Sequence, residues 1–278
     1  MKRLIQIELI KLQNSKASKV LIAIYFLLLT AISLIAAIKF DIGPVKIHVA
    51  DQGIFNFPLI WHFNTYIASI IKFFLLLVIV SMITNEYSNR TLKQNLIDGL
   101  SKKEFILSKF YLVFILAAIS TVFVFFISLI LGYFYSDYNE LAIVFSDLEY
   151  LLAFFIKLVG FFSMGLFFGM LIKRSAFAVG ALIIWNIIEG LVSLLLMWVF
   201  GYKSEMIPKF TQFLPLESMS NLIENPFGRL KAIKTVASQV GESLAYDYAV
   251  HWYEIAIVLV WSVIFMFLSY KLLLRRDL

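Results

Sequence analysis

The sequence predicts an all-α membrane protein with six transmembrane helices. Of its 278 residues, 62% are hydrophobic and 15% charged, and the mean hydropathy is +0.90. Soluble domains carry about 25% charged and 45–50% apolar residues, so a soluble chain of this composition could not cover its own surface. The arrangement agrees with the composition. Apolar runs near the roughly 20 residues needed to cross a bilayer recur along the whole chain.

The elements follow in order. Residues 1–13 mix apolar and charged residues at helical spacing, with Lys2, Gln6 and Gln13 on one face and Ile5, Leu9 and Leu12 on another. Residues 1–19 are therefore expected to form an amphipathic interfacial helix on the cytoplasmic surface, the alternative being a plain helical lead-in to the first span. Spans are expected at 20–38, 61–84, 110–135, 148–172, 176–202 and 252–274. The first run is too long for the core of a cleaved signal peptide and has no small-x-small site after it, so it is expected to be retained as a span. The fourth and fifth spans are joined only by Lys173, Arg174 and Ser175, a tight hairpin. Residues 85–109 are polar and helix-prone, with a break at Asp98-Gly99. Residues 203–251 form a long external loop containing Pro208, Pro215 and Pro226. A loop of that length without structure is uncommon, so short helices dipping toward the outer leaflet are expected. The whole chain, 1–278, is expected to be a single membrane domain.

Orientation comes from the basic residues. Fifteen of the 24 Lys and Arg fall in one alternating set of segments: the N-terminus, residues 85–109, the 173–175 hairpin and the C-terminus. Seven fall in the other set, and Lys72 and Lys157 lie inside spans. The positive-inside rule then puts both termini in the cytoplasm. The same distribution argues against nucleic acid as the reason for the net charge of +6, because the bases sit at the ends of apolar runs.

Several chemistries are excluded or unsupported. There is no cysteine, hence no disulfide, thiolate metal site or cysteine nucleophile. No G-x-x-x-x-G-K-[ST] phosphate loop is present, so the chain is not expected to be an enzyme of that type. His48, His62 and His251 lack metal-ligand spacing and are expected to be interfacial residues at external span ends.

The informative stretch is the exit of the second span. It runs through Glu86, then Arg90-Thr91-Leu92, then Leu96-Ile97-Asp98-Gly99-Leu100-Ser101-Lys102-Lys103-Glu104-Phe105, and then Lys109. In this order it resembles the permease subunits of type 2 ATP-binding-cassette (ABC) transporters. Their pattern is a Glu, a Thr four or five residues later, a Leu-rich turn, a small-residue break, a Ser-basic pair and a Lys opening the third span. Asp98-Gly99 stands where many members have a proline-containing turn. Glu8 and Lys11 fit the family's N-terminal Glu-x-x-Lys, Phe213-Leu214-Pro215 fits a Leu-Pro element, and Arg275-Arg276-Asp277-Leu278 resembles its basic-Asp-Leu ending.

The resemblance implies an exporter in the bacterial inner membrane. Two permease chains, identical or homologous, would associate among membrane lipids. Each would rest on a separate ATP-binding subunit that holds the ATP and Mg, leaving no cofactor in this chain. It also implies a coupling helix between spans two and three, docked into a cleft on the ATPase beside the N-terminal surface helix. For Ser101–Lys109, Ser101 and Glu104 are spaced as a capping box. Phe105 and Ile106 are expected to fill the partner's cleft, with Lys102 and Lys103 on its rim.

Charges inside spans are costly and normally face the bundle interior or a cavity. Lys72 and Glu189 have matching depth, with Asn64 and Asn186 as possible supports. They are expected either to line or gate the transport pathway, or to form a structural ion pair while Lys157 snorkels outward. A secondary transporter would require inverted repeats and broken helices, and neither is visible in the sequence. A membrane anchor or assembly factor would not need charges in separate spans. The 28 Phe and 13 Tyr do not distinguish a substrate.

Overall fold

A computed structural model describes residues 2–42, 45–48, 52–201, 204, 206–230, 233 and 247–275. The chain begins with α1 (Lys2–Asn14) and α2 (Lys16–Ala37). They are separated at Ser15, whose hydroxyl caps α2 by accepting from the Ser18 amide at 3.2 Å. A small antiparallel hairpin follows, β1 (Lys39–Ile42) with β2 (Val45–His48), pairing Lys39 with His48. Helices α3 (Leu59–Ile71) and α4 (Phe73–Ser88) together form the second span. Next come α5 (Thr91–Ile97), the long α6 (Lys102–Tyr135), α7 (Leu141–Val144), α8 (Glu149–Ile172) and α9 (Ser175–Phe200). Short helices α10 (Met206–Thr211) and α11 (Pro215–Asn221) and a 3-10 turn (Pro226–Arg229) precede α12 (Trp252–Leu274).

Among the described residues, five helices are long and apolar enough to cross a membrane, and there are six spans if the bent pair of α3 and α4 counts as one. The chain is thus an all-α, multi-pass membrane protein. The antiparallel pair of β1 and β2 is an addition the apolar periodicity did not predict.

The second span differs from the expected straight helix: α3 and α4 are bent by 42° at Lys72. Sharp kinks arise where a side chain competes for the i→i−4 ladder. Here the Lys72 ammonium donates 2.8 Å to the carbonyl of Ser69, one turn earlier.

Helix α8 is the centre of the bundle, packed against α12, α4, α6, α9 and α3. Its glycines permit the closest approach. A Cβ at Gly165 would collide with Leu76, and one at Gly169 would lie 2.5 Å from Ile83 Cγ2, both partners being on α4. Small residues four apart let helix backbones approach closely where lipid offers no hydrophobic drive to association. Two polar pairs lie inside the bundle: Tyr25 with Ser120 at 2.5 Å, and Asn64 with Ser128 at 2.8 Å. Fully buried Trp61 stacks on Phe125 and donates 2.9 Å to the Val144 carbonyl.

Candidate functional site

The end of the bundle that carries α1 is built around four charged side chains drawn from three helices. Glu8 and Lys11 lie one turn apart on α1, Glu86 is in the last turn of α4, and Lys109 is in the third turn of α6. The Lys109 ammonium donates 2.7 Å to Glu8 Oε2 and also to Glu86 Oε1. Lys11 donates 2.9 Å to Glu86 Oε1 and stands 3.5 Å from Glu8 Oε1. The remaining acceptor sites are also used: Ser108 donates 3.1 Å to Glu8 Oε1, and Asn95 of α5 donates 3.3 Å to Glu86 Oε2.

Two acids and two bases balance, and Glu8, Glu86 and Lys109 are buried. Burial raises the Glu8 carboxyl, but Lys109 and Lys11 reverse that and hold it below its ordinary value. Burial pulls Lys11 down, and Glu8 with Glu86 returns it above its ordinary value. Buried charges are tolerated when the pairing is this complete, and removing one partner leaves the others costly. The junction joins α1, α4, α5 and α6 into one unit.

Below the junction, α4 ends and the chain reverses through Arg90, a non-glycine residue in the left-handed region at φ 55°. Helix α5 is anchored by buried Leu92 and by Asn95, and it exposes Thr91, Lys93, Gln94 and Ile97. Ile97 is 69% exposed, an apolar side chain standing off a polar helix. The reversal after α5 needs Gly99, at φ 92°. The capping box then forms as expected: Ser101 Oγ accepts from the Glu104 amide at 3.2 Å, and Glu104 accepts from the Ser101 amide at 2.9 Å. Those hydrogen bonds from Ser101 hold the exposed Glu104 carboxyl below its ordinary value.

Three expectations for this stretch need correction. Ser101–Lys109 is not a separate helix. It is the start of α6, whose 34 residues extend about 50 Å, well beyond a ~30 Å hydrocarbon core. Phe105 and Ile106 are 0% and 3% exposed, packed into this chain's own core and not free to enter a partner. Lys109 is buried in the junction. Arg90, Thr91, Ser101, Lys103 and Glu104 are exposed, and Lys102 donates 3.3 Å to the Leu274 carbonyl.

The charges inside the spans are also arranged differently from expectation. Glu189 does not pair with Lys72. Its carboxylate accepts from Trp185 Nε1 at 2.6 Å, from the Leu216 amide at 3.0 Å and from the Glu217 amide at 3.0 Å. It therefore caps the N-terminus of α11, satisfying amides that no residue of the helix reaches. Asn64 is committed to Ser128. Lys157 does not snorkel outward: it is 3% exposed and donates 3.3 Å to the Ser220 carbonyl.

Lys72, Lys157 and Asn186 line one cavity of about 400 Å³ between the bend of span two, α8, α9 and α11. An ammonium at bilayer depth costs about 2.5–3.5 kcal/mol on insertion scales. His62 is fully buried instead of interfacial, stacked on Tyr150 with ring centres 4.4 Å apart and bonded to the Glu224 carbonyl at 2.8 Å. His251 lies at the end of α12, 3.1 Å from Asp247, and the side chain of His48 is outside the described residues, as are Arg276, Asp277 and Leu278.

The sequence matches the family model for ABC-2 family transporter proteins over residues 4–189, more than half of the chain. The matched region contains the whole Glu8–Lys11–Glu86–Lys109 junction, the exposed α5 and Glu189. No curated protein matches the chain.

Proposed function

The chain belongs to the ABC-2 transporter family as a membrane-spanning permease subunit, and from that premise we propose that it is half of an ATP-driven exporter. The ATP and Mg are held by a separate ATP-binding subunit. A second permease, identical or homologous, completes the pathway. The protein sits in the bacterial inner membrane with both termini cytoplasmic, so the junction and α5 face the cytoplasm. That orientation rests on the basic residues concentrated at this end.

One observation carries the mechanism: the exposed α5 is hydrogen-bonded through Asn95 to Glu86, inside the buried junction. Helix α5 is the docking element, with Ile97 entering the ATPase and Lys93, Arg90 and Lys103 around it. Closure of the ATPases pushes on α5. The junction transmits the push to α1, α4 and α6 together, and the bend at Lys72 lets span two change shape.

The test is a mild-detergent pull-down of tagged protein from native membranes. Wild type should bring down an ATPase in stoichiometric amount, and Ile97→Asp should lose it while keeping its own thermal midpoint. Retention of the ATPase by Ile97→Asp would remove α5 from the interface.

The bend in span two favours one second reading, an ion-gradient-driven secondary transporter, since broken helices mark their binding sites. That architecture needs paired broken helices in two repeats, and one bent pair is present among the described residues. Transport that persists without ATP and collapses with a protonophore would support it.

A further inference from the structure

The cavity beside the bend is lined by two lysines and, among the described residues, by no acid. Lys72 and Lys157 reach it from different spans. Each ammonium has three N–H donors, and among the described residues each makes one hydrogen bond, Lys72 to the Ser69 carbonyl at 2.8 Å and Lys157 to the Ser220 carbonyl at 3.3 Å. Lys72 also stands over the Phe161 ring, 4.7 Å from its centre. Among the described residues, no acid forms an ion pair with either lysine. The acids of the surrounding elements are otherwise placed. Glu189 is spent on the amides of α11, Glu217 does not line the cavity, and Glu224 acts on Lys157 from beyond ion-pair distance.

The rest of the lining gives the ligand a shape. Asn186 adds a neutral hydrogen-bonding group on α9. At the rim, Ile70, Phe73 and Ile183 are 58%, 37% and 52% exposed. In a membrane-spanning bundle, exposed apolar side chains face lipid or a neighbouring subunit. The cavity therefore joins a cationic floor to an apolar rim at bilayer depth.

We propose that this cavity binds the anionic head of an amphiphile, a phosphate or carboxylate between Lys72 and Lys157, with the apolar tail lying over Ile70, Phe73 and Ile183. A bilayer phospholipid and a transported anionic amphiphile share this chemistry. The site needs only the permease, so its test is independent of ATPase docking.

The experiment uses the purified, delipidated chain in mild detergent. Thermal unfolding is recorded with dihexanoyl phosphatidylglycerol, dihexanoyl phosphatidylcholine and inorganic phosphate. The anionic lipid should raise the midpoint, while phosphatidylcholine and phosphate should not. Lys72→Gln and Lys157→Gln should each weaken the apparent affinity about tenfold, the loss of one charge-assisted hydrogen bond, and the double variant should not respond. The single variants and Asn186→Leu keep the test readable if the double variant fails to accumulate. A phospholipid retained through gentle purification in the native mass spectrum identifies the bilayer as the source, and a response only to added ligand identifies an exchangeable one. Equal protection by phosphatidylcholine, full protection by phosphate alone, or a wild-type response in both lysine variants would overturn the proposal.

Discussion

Lys109→Met keeps most of the side chain's volume and deletes the buried cation that both buried carboxylates share. Lys109 lies 2.7 Å from Glu8 Oε2 and also contacts Glu86. At an effective dielectric of about 20, one such contact is worth about 6 kcal/mol before desolvation is subtracted. Measured costs of removing one partner from a buried pair are about 3–5 kcal/mol, because the stranded charge stays desolvated. Among the described residues Lys11 is the other base paired in the junction, and it is partly exposed, so it cannot neutralise two carboxylates.

At roughly 2–4 °C per kcal/mol for a chain of this size, the thermal midpoint should fall by about 6–20 °C. The assay is circular dichroism or tryptophan fluorescence of the purified protein in mild detergent. The triple variant Glu8→Gln/Glu86→Gln/Lys109→Met removes the desolvation cost with the charges and should regain most of the loss. A Lys109→Met midpoint within 2 °C of wild type, or a triple variant as unstable as the single, would refute the ionic account of the junction.

Three further outcomes are expected. The junction's pH dependence follows from its two shifted groups. Glu8, held below its ordinary 4.5, contributes stability that is present above that value and lost as the pH falls through its folded value. Lys11, held above its ordinary 10.5, contributes stability that is present below that value and lost as the pH rises through its folded value. The junction's contribution to the thermal midpoint should therefore be flat between these limits and fall on both sides, and Glu8→Gln should blunt the acid limb. Glu189→Gln should cost about 1.5–3 kcal/mol, the range for hydrogen bonds to a charged group, and should raise amide exchange at Leu216 and Glu217 while leaving α5 unchanged. Gly165→Leu should force α8 away from Leu76 on α4 and lower the midpoint more than Gly180→Leu, a glycine with open space around it.

Runs of apolar residues and a local cap are properties of contiguous sequence, so the six spans and the Ser101–Glu104 capping box were legible. The junction was legible only as separate residues. Glu8, Glu86 and Lys109 stand 23 to 101 positions apart, and no periodicity shows that they meet. The burial of Phe105 and Ile106 did have a signal: with Lys109, Leu112, Val113 and Leu116 they form one helical stripe running into the span, all buried.

The bend at Lys72 had none, since no proline or glycine marks it and the bond that accompanies it runs from the lysine side chain to the Ser69 carbonyl. Trp185 lies one turn before Glu189, but the capping role of Glu189 could not be assigned, because the amides it caps are 27 and 28 residues away. The glycines at 165 and 169 were visible as a spaced pair, but which helix they admit is a tertiary fact.

The docking of α5 on a separate ATPase is tested most directly by site-specific cross-linking. The chain holds no cysteine, so Ile97→Cys creates a single reactive thiol on α5. In native membranes with a short bifunctional thiol–amine reagent, Ile97→Cys should yield one adduct containing an ATP-binding protein, sensitive to added ATP and Mg. Phe105→Cys, buried in the core, should yield none. An Ile97→Cys thiol that labels freely with a soluble maleimide yet forms no adduct with an ATPase would contradict the account.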